Sequence, residues 1–138
     1  MAVNDPKTIA WVLERPRVLA VVGLSDNPER PSHRVSKAMQ QRGYRIVPIT
    51  PKGGEILGEK VYASLTEIPF PVDVVQVFRA PQYAVDVVRE VAQMKAPPRV
   101  LWMQEGVVND QAVAEAEALG LAVVQDRCLY KEAVRAGR

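Results

Sequence analysis

The chain has 138 residues, 48% of them hydrophobic and 25% charged, which predicts one globular domain over residues 1–138. Its 18 basic and 16 acidic residues leave a formal net charge of +2, too close to balance for a typical nucleic-acid-binding protein. We find no N-terminal signal pattern and no apolar run of roughly 18 residues, so we expect a cytoplasmic protein without a membrane partner. A single cysteine and a single histidine exclude an internal disulfide and argue against a metal site.

Five short apolar runs, rich in Val and Ile, predict strands that are covered on both faces. They occupy residues 17–23, 44–50, 72–78, 99–104 and 121–125. Helix-length segments with apolar residues three and four positions apart lie between them. The alternation predicts an α/β fold with a five-stranded parallel sheet and right-handed crossovers, whose ligands bind beyond the carboxyl ends of the strands.

The first predicted strand ends at Gly23, and a helix pattern begins near Ser32. Glycine at such a turn lets a ligand approach the backbone closely. Hydroxyl and guanidinium groups at the start of a helix suit a phosphate ligand, so we expect Ser25, Arg30 and Ser32 to contact phosphate. Arg34 in the first helical turn strengthens this interpretation. The alternative is simple turn geometry at Gly23, an N-cap at Ser32 and solvated arginines. The single histidine, in the same turn, is better explained as a capping or solvent-facing residue than as a general acid or base.

The second predicted strand contains Pro48, which removes a ladder hydrogen bond, and ends in the sequence ITPKGG. An NAD-binding protein would carry three spaced glycines after the first strand and an acidic residue here. Instead Lys52 occupies this region, so we expect a ligand with phosphate near its ribose, either NADP or coenzyme A (CoA). The Gly- and Pro-rich segment 51–71 follows, with one helical turn predicted near residues 64–68, and a loop of this length is usually functional.

The remaining strand ends supply further candidates. Phe78 and Arg79 follow the third strand, and we expect Arg79 to contact phosphate and Phe78 or Pro81 to face an adenine. Gly43 and Gly120 are predicted to end helices, Pro81 to occupy the first position of a helix and Asn109 to cap one. Cys128 is predicted to be a partly buried residue at a helix start rather than a nucleophile, because no second histidine is present to activate it.

Taken in order, the segments VVGLS, PITPKGGEILGEKVYASL, VFRAP, WMQEGV and DRC resemble the stand-alone bacterial CoA-binding proteins. These are similar to the N-terminal domain of the succinyl-CoA synthetase alpha subunit, and the resemblance covers roughly residues 15–130. It implies a Rossmann-like three-layer fold with CoA across the carboxyl edge of the sheet. It also implies CoA-binding roles for a set of residues in three segments: Gly23, Leu24 and Ser25; Pro51 and Lys52; Met103, Gln104, Glu105 and Gly106.

We therefore expect a protein that binds CoA or an acyl-CoA without catalysing a reaction, because no nucleophile and base pair is recognisable. The synthetase-type enzymes use a histidine in a separate domain, and the resemblance does not extend to that domain. Two alternatives remain open at this stage. One is an NADP-binding enzyme or sensor, and the other is a protein-interaction module with a vestigial nucleotide pocket.

Overall fold

A computed structural model describes residues 2–138 and contains the predicted five-stranded parallel sheet. The strands are shorter at their ends than the apolar runs that predicted them. Their bounds are β1 Val18–Val22, β2 Arg45–Ile49, β5 Val74–Val77, β6 Val100–Met103 and β7 Ala122–Val124, and a hairpin supplies β3 Glu55–Ile56 and β4 Glu59–Lys60. The order in the sheet is β2-β1-β5-β6-β7, with every neighbouring pair parallel.

Five helices form the two outer layers, as the predicted three-layer fold requires. They are α1 Pro6–Leu13, α2 Pro31–Gln40, α3 Ala84–Val91, α4 Asp110–Ala118 and α5 Leu129–Arg135. Helices α3 and α4 pack on one face of the sheet, which we call the apolar face. Helices α1, α2 and α5 pack on the other, which we call the cleft face.

Local sequence signals act at the helix ends as predicted, with one exception. Gly43 and Gly120 follow helices with φ of +90° and +86°, the left-handed conformation that glycine adopts at low cost. The Asn109 side chain accepts a hydrogen bond from the Ala112 backbone N–H at 2.9 Å and so caps α4. The prediction that Pro81 opens the second crossover helix directly is wrong, because Pro81 begins a separate 3₁₀ turn, Pro81–Tyr83, and α3 follows that turn.

Pro48 fits the sheet because β2 is an edge strand. The Ile49 carbonyl accepts from the Gly23 N–H on the β1 side, so the preceding residue, Pro48, faces the outer edge. A proline there removes no hydrogen bond to β1. The outer edge is instead covered by Tyr62, whose N–H donates to the Pro48 carbonyl at 3.0 Å.

The segment 51–71 is more ordered than its composition predicts. It contains the β3–β4 hairpin, which the sequence did not reveal, and then the predicted turn, a 3₁₀ helix at Leu65–Glu67. Ser64 and Glu67 form a reciprocal capping box there. Through Tyr62 this segment is attached to the β2 edge, close to the carboxyl ends of the strands.

Candidate functional site

A cleft of about 950 Å³ opens on the cleft face, at the carboxyl ends of the central strands and between α2 and the start of α5. The lining residues come from the first loop and α2, from the ends of β5 and β6, and from the beginning of α5. They are Gly23, Ser25, Arg30, Pro31, Ser32, Arg34, Val35, Ala38, Phe78, Gln104, Glu105, Val107, Cys128, Tyr130 and Lys131. Seven of the residues predicted from the sequence are therefore brought together: Gly23, Ser25, Arg30, Ser32, Phe78, Gln104 and Glu105.

The loop between β1 and α2 is held in shape by its own polar side chains. The Ser32 hydroxyl accepts from the Ser25 backbone N–H at 3.0 Å, and the Ser25 hydroxyl accepts from the Asn27 N–H at 3.1 Å. Ser32 is thus not the N-cap of α2. That position belongs to Arg30, whose side chain makes no capping hydrogen bond. The first turn of α2 is left without a side-chain cap, beside two arginines.

Gly23 is required by the geometry of its own turn. Its φ is +87°, and a Cβ placed on it would lie 3.2 Å from Cγ of Arg79 and 3.4 Å from the backbone carbon of Phe78. A side chain here would be strained by the positive φ and tightly packed against Phe78 and Arg79, the two residues that follow β5. Glycine avoids both costs.

Lys52 and Leu24 line a second, smaller cavity of about 230 Å³, together with Asp26, Thr50 and neighbouring residues. Gly23 and Ser25 line both cavities. The two cavities therefore adjoin at the first loop, and Lys52 lines the one nearer to β2. Pro51 lines neither cavity.

The segment that ends β6 is only partly placed as predicted. Gln104 and Glu105 line the cleft, but the Met103 side chain is fully buried on the apolar face, so its predicted role in lining the site is wrong. Successive side chains of a strand point to opposite faces, which separates Met103 from Gln104. Gly106 does not line the cleft either, and its N–H donates to Oδ1 of Asp126 at 2.8 Å.

Arg79 is exposed and does not line the cleft. Its guanidinium carbon lies 4.6 Å from the ring centroid of Tyr83, where cation–π attraction holds it. Pro81 is likewise outside the lining. The predicted phosphate contact at Arg79 is therefore not supported by its placement, whereas Phe78 remains in the cleft wall.

Helix α5 supplies cleft residues that the sequence analysis did not assign to the site. Tyr130 and Lys131 line the cleft, and so does Cys128, which lies at the helix start as predicted. Nζ of Lys131 lies 3.0 Å from both carboxylate oxygens of Glu105. Its hydrogen bond to Glu105, with the attraction between the two charges, raises the pKa of Lys131. No local signal marks these residues, because only the chain's return beside α2 brings α5 to the site.

The histidine and the charges complete the description of the site. His33 is buried in α2 and does not line the cleft, so the expectation of a capping or solvent-facing residue is wrong. Arg30, Arg34 and Lys131 line the cleft, and Glu105 is their acidic neighbour. Three basic side chains against one acidic side chain, together with the uncapped start of α2, favour an anionic ligand.

Residues 2–138 contain no group of three or more His, Cys, Asp or Glu side chains placed to hold a metal ion. No helix among them is both long and apolar enough to cross a bilayer.

Comparison with known proteins identifies the family. Residues 17–133 match the family model of a CoA-binding domain. The chain belongs to this family of CoA-binding domains. Membership supports CoA binding in general and confirms the resemblance that the strand-end segments indicated.

Relatives of known sequence include stand-alone and multidomain proteins. The uncharacterized protein YneT of Bacillus subtilis (strain 168) is 45% identical over 121 residues, which cover 88% of each chain. The alpha subunit of ADP-forming acetate–CoA ligase I of Pyrococcus furiosus is 33% identical over 81% of this chain. The aligned region spans only 27% of that subunit, so the family domain is one part of a longer protein there.

The fold is also shared with solved structures. The Thermus thermophilus protein called cell-free ID.343 superposes with a TM-score of 0.87 at 33% identity, over 95% of this chain and 98% of that one. This agreement over nearly the full length of both chains confirms the Rossmann-like fold that the resemblance predicted.

Proposed function

We propose that this protein binds CoA or an acyl-CoA in the cleft and catalyses no reaction on it. The observation that carries the proposal is the start of α2. There Arg30, Arg34 and an uncapped helix end converge at the carboxyl edge of a CoA-binding family sheet. Such a helix start, with guanidinium groups beside it, suits a pyrophosphate.

The adjoining cavity is lined by Lys52 and by the acidic residues Asp26 and Glu55. Lys52 is its cationic partner for the second phosphate group of CoA, which is attached to the ribose. The two cavities meet at Gly23 and Ser25, so a nucleotide there can present its phosphates to both. The wall formed by Phe78 and Val107 then faces the less polar remainder of the ligand.

The arrangement of reactive side chains supports binding without chemistry. His33 lies outside the cleft lining, and Cys128 therefore has no histidine beside it in the cleft. Glu105 is engaged by Lys131. A relative named for a ligase activity, the Pyrococcus furiosus subunit, has most of its length outside the region it shares with this chain.

Isothermal titration calorimetry with CoA, 3′-dephospho-CoA and NADP tests the proposal. We expect micromolar binding of CoA, and weaker binding of 3′-dephospho-CoA if Lys52 meets the ribose phosphate. If 3′-dephospho-CoA binds as tightly as CoA, the charged contact is made to the pyrophosphate and not to the ribose phosphate. Binding of NADP without CoA would favour a nicotinamide nucleotide protein, and no binding of any of the three would favour a protein-interaction module.

Incubation with acetyl-CoA and succinyl-CoA tests the proposed lack of chemistry. We expect both thioesters to remain intact when the mixture is followed by chromatography. Release of free CoA by the wild-type protein, above the rate in buffer, would contradict the non-catalytic proposal and leave the binding proposal standing.

A further inference from the structure

Two glutamines form a buried polar pair at the base of the cleft. Gln76 lies in β5 with no exposed surface, and Gln104 follows β6 with 4% of its surface exposed. Nε2 of Gln76 donates to Oε1 of Gln104 at 3.0 Å. Both side chains lie on the cleft face, since they alternate with Val77 and Met103, which face the other way.

The pair is only half satisfied by the protein. Within residues 2–138, the buried Oε1 of Gln76 has no hydrogen-bond partner, and such an atom in a native protein calls for an explanation. Gln104 contributes Oε1 to the bond between the two side chains, which leaves its Nε2 outside that bond. Gln104 lines the cleft and Gln76 does not, so the amide of Gln104 is the one that a ligand can reach.

The cleft residues near Gln104 indicate which kind of ligand group its amide would contact. Arg30, Ser32 and Arg34 provide the phosphate-binding part of the cleft, whereas Val35 and Val107 contribute apolar surface. A neutral N–H donor near apolar walls suits a neutral carbonyl better than an anion, because a charge would lose more hydration there. CoA carries such groups on its pantetheine arm, an otherwise apolar chain with two amide carbonyls.

We infer that Gln104 donates a hydrogen bond from Nε2 to a carbonyl oxygen of the pantetheine arm, and that Gln76 is a positioning residue that fixes the Gln104 amide for this contact. The inference rests on the proposed function. It assigns the arm, rather than the nucleotide, to the Gln104 side of the cleft. Gln76 holds Oε1 of Gln104 and thereby directs the amide nitrogen toward the ligand.

The test compares CoA with adenosine 3′-phosphate 5′-diphosphate, which keeps the nucleotide and both kinds of phosphate but lacks the arm. Titration calorimetry is carried out on wild type, Gln104→Leu and Gln76→Leu. Gln93→Leu is the matched control, because this glutamine is exposed on the protein surface. We expect Gln104→Leu to weaken CoA binding between about three-fold and about thirty-fold, with affinity for the truncated nucleotide changed less than two-fold. Gln76→Leu should also weaken CoA binding more than binding of the truncated nucleotide, but by a smaller factor than Gln104→Leu.

A second measurement separates positioning from stability. In thermal unfolding without ligand, the double variant Gln76→Leu with Gln104→Leu should melt no lower than wild type, because it removes the unpartnered Oε1 of Gln76 and replaces both amides with apolar surface. Equal losses for both ligands, or unchanged CoA affinity in both single variants, would overturn the inference while leaving the proposed function intact. Wild type that binds neither ligand would overturn the proposed function and this inference with it.

Discussion

The two faces of the sheet are built differently. On the apolar face, the buried residues of α3 and α4 are all hydrophobic, among them Val87, Val88 and Ala116. The cleft face also buries polar side chains, including Ser36, Gln76 and Gln104. Ser36 and Gln76 each keep a side-chain oxygen with no partner within residues 2–138.

Buried polar and buried apolar side chains have different effects on the stability of a domain. Buried apolar area stabilises a domain without needing any partner, whereas a buried amide destabilises it unless it is hydrogen-bonded. Ser36, Gln76 and Gln104 lie on the face of the sheet where the cleft opens, and Gln104 lines the cleft itself. Both faces bury a hydrophobic cluster that stabilises the fold, and we expect binding on the cleft face. Substitutions in the core of the apolar face should therefore change stability without changing binding.

The largest effect is expected on the apolar face. Leu101→Ala removes a fully buried side chain from β6 and should lower the free energy of unfolding by about 3 kcal/mol, measured by urea denaturation. CoA affinity of the folded protein should be unchanged. Leu119→Ala is the control, because Leu119 is 43% exposed, and its effect should stay within about 0.5 kcal/mol. A loss of CoA affinity in folded Leu101→Ala would contradict the expected separation of stability from binding.

A smaller loss of stability is expected at the turn that joins sheet and cleft. Gly23→Ala introduces a Cβ at φ +87°, 3.2 Å from Cγ of Arg79, and should cost about 2 kcal/mol in urea denaturation. Gly58→Ala is the matched control, with φ +77° and no atom within 4 Å of the added Cβ, and should cost about 1 kcal/mol from backbone strain alone. An equal loss of unfolding free energy at the two positions would show that contact between the added Cβ and the residues after β5 contributes nothing to the loss at Gly23.

The smallest effect on stability is expected at Lys52, where binding should change instead. The side chain is exposed and lines the smaller cavity, so Lys52→Ala should alter the free energy of unfolding by less than about 0.5 kcal/mol. CoA affinity should fall several-fold in calorimetry, because a charge-assisted contact to phosphate is lost. Lys7→Ala, at an exposed position on α1, serves as the control, and equal affinities of the two variants would remove Lys52 from the site.

Much of the fold was predictable, because strands and helices of this kind are marked by local patterns. Each of the five apolar runs contains a strand, and Gly43, Asn109 and Gly120 mark helix ends. The β3–β4 hairpin was not predictable, because two-residue strands are too short to carry an alternating pattern.

The candidate site was predictable where it is continuous with a strand end, as at Gly23, Ser25 and Gln104. Met103 was assigned wrongly, although strand periodicity alone would have separated it from Gln104. Lys131 was missed because it reaches the cleft only through the packing of α5 beside α2, a contact between segments far apart in the chain.

The alternation of strands and helices, the parallel sheet and the family could be inferred from the sequence, because hydrophobic periodicity and strand-end segments are local properties of the chain. The closure of one side of the cleft by α5 and the contact between Gln76 and Gln104 required the tertiary structure. Both depend on packing between segments that are distant in sequence. They are settled when the whole core forms, and no short stretch of residues encodes them.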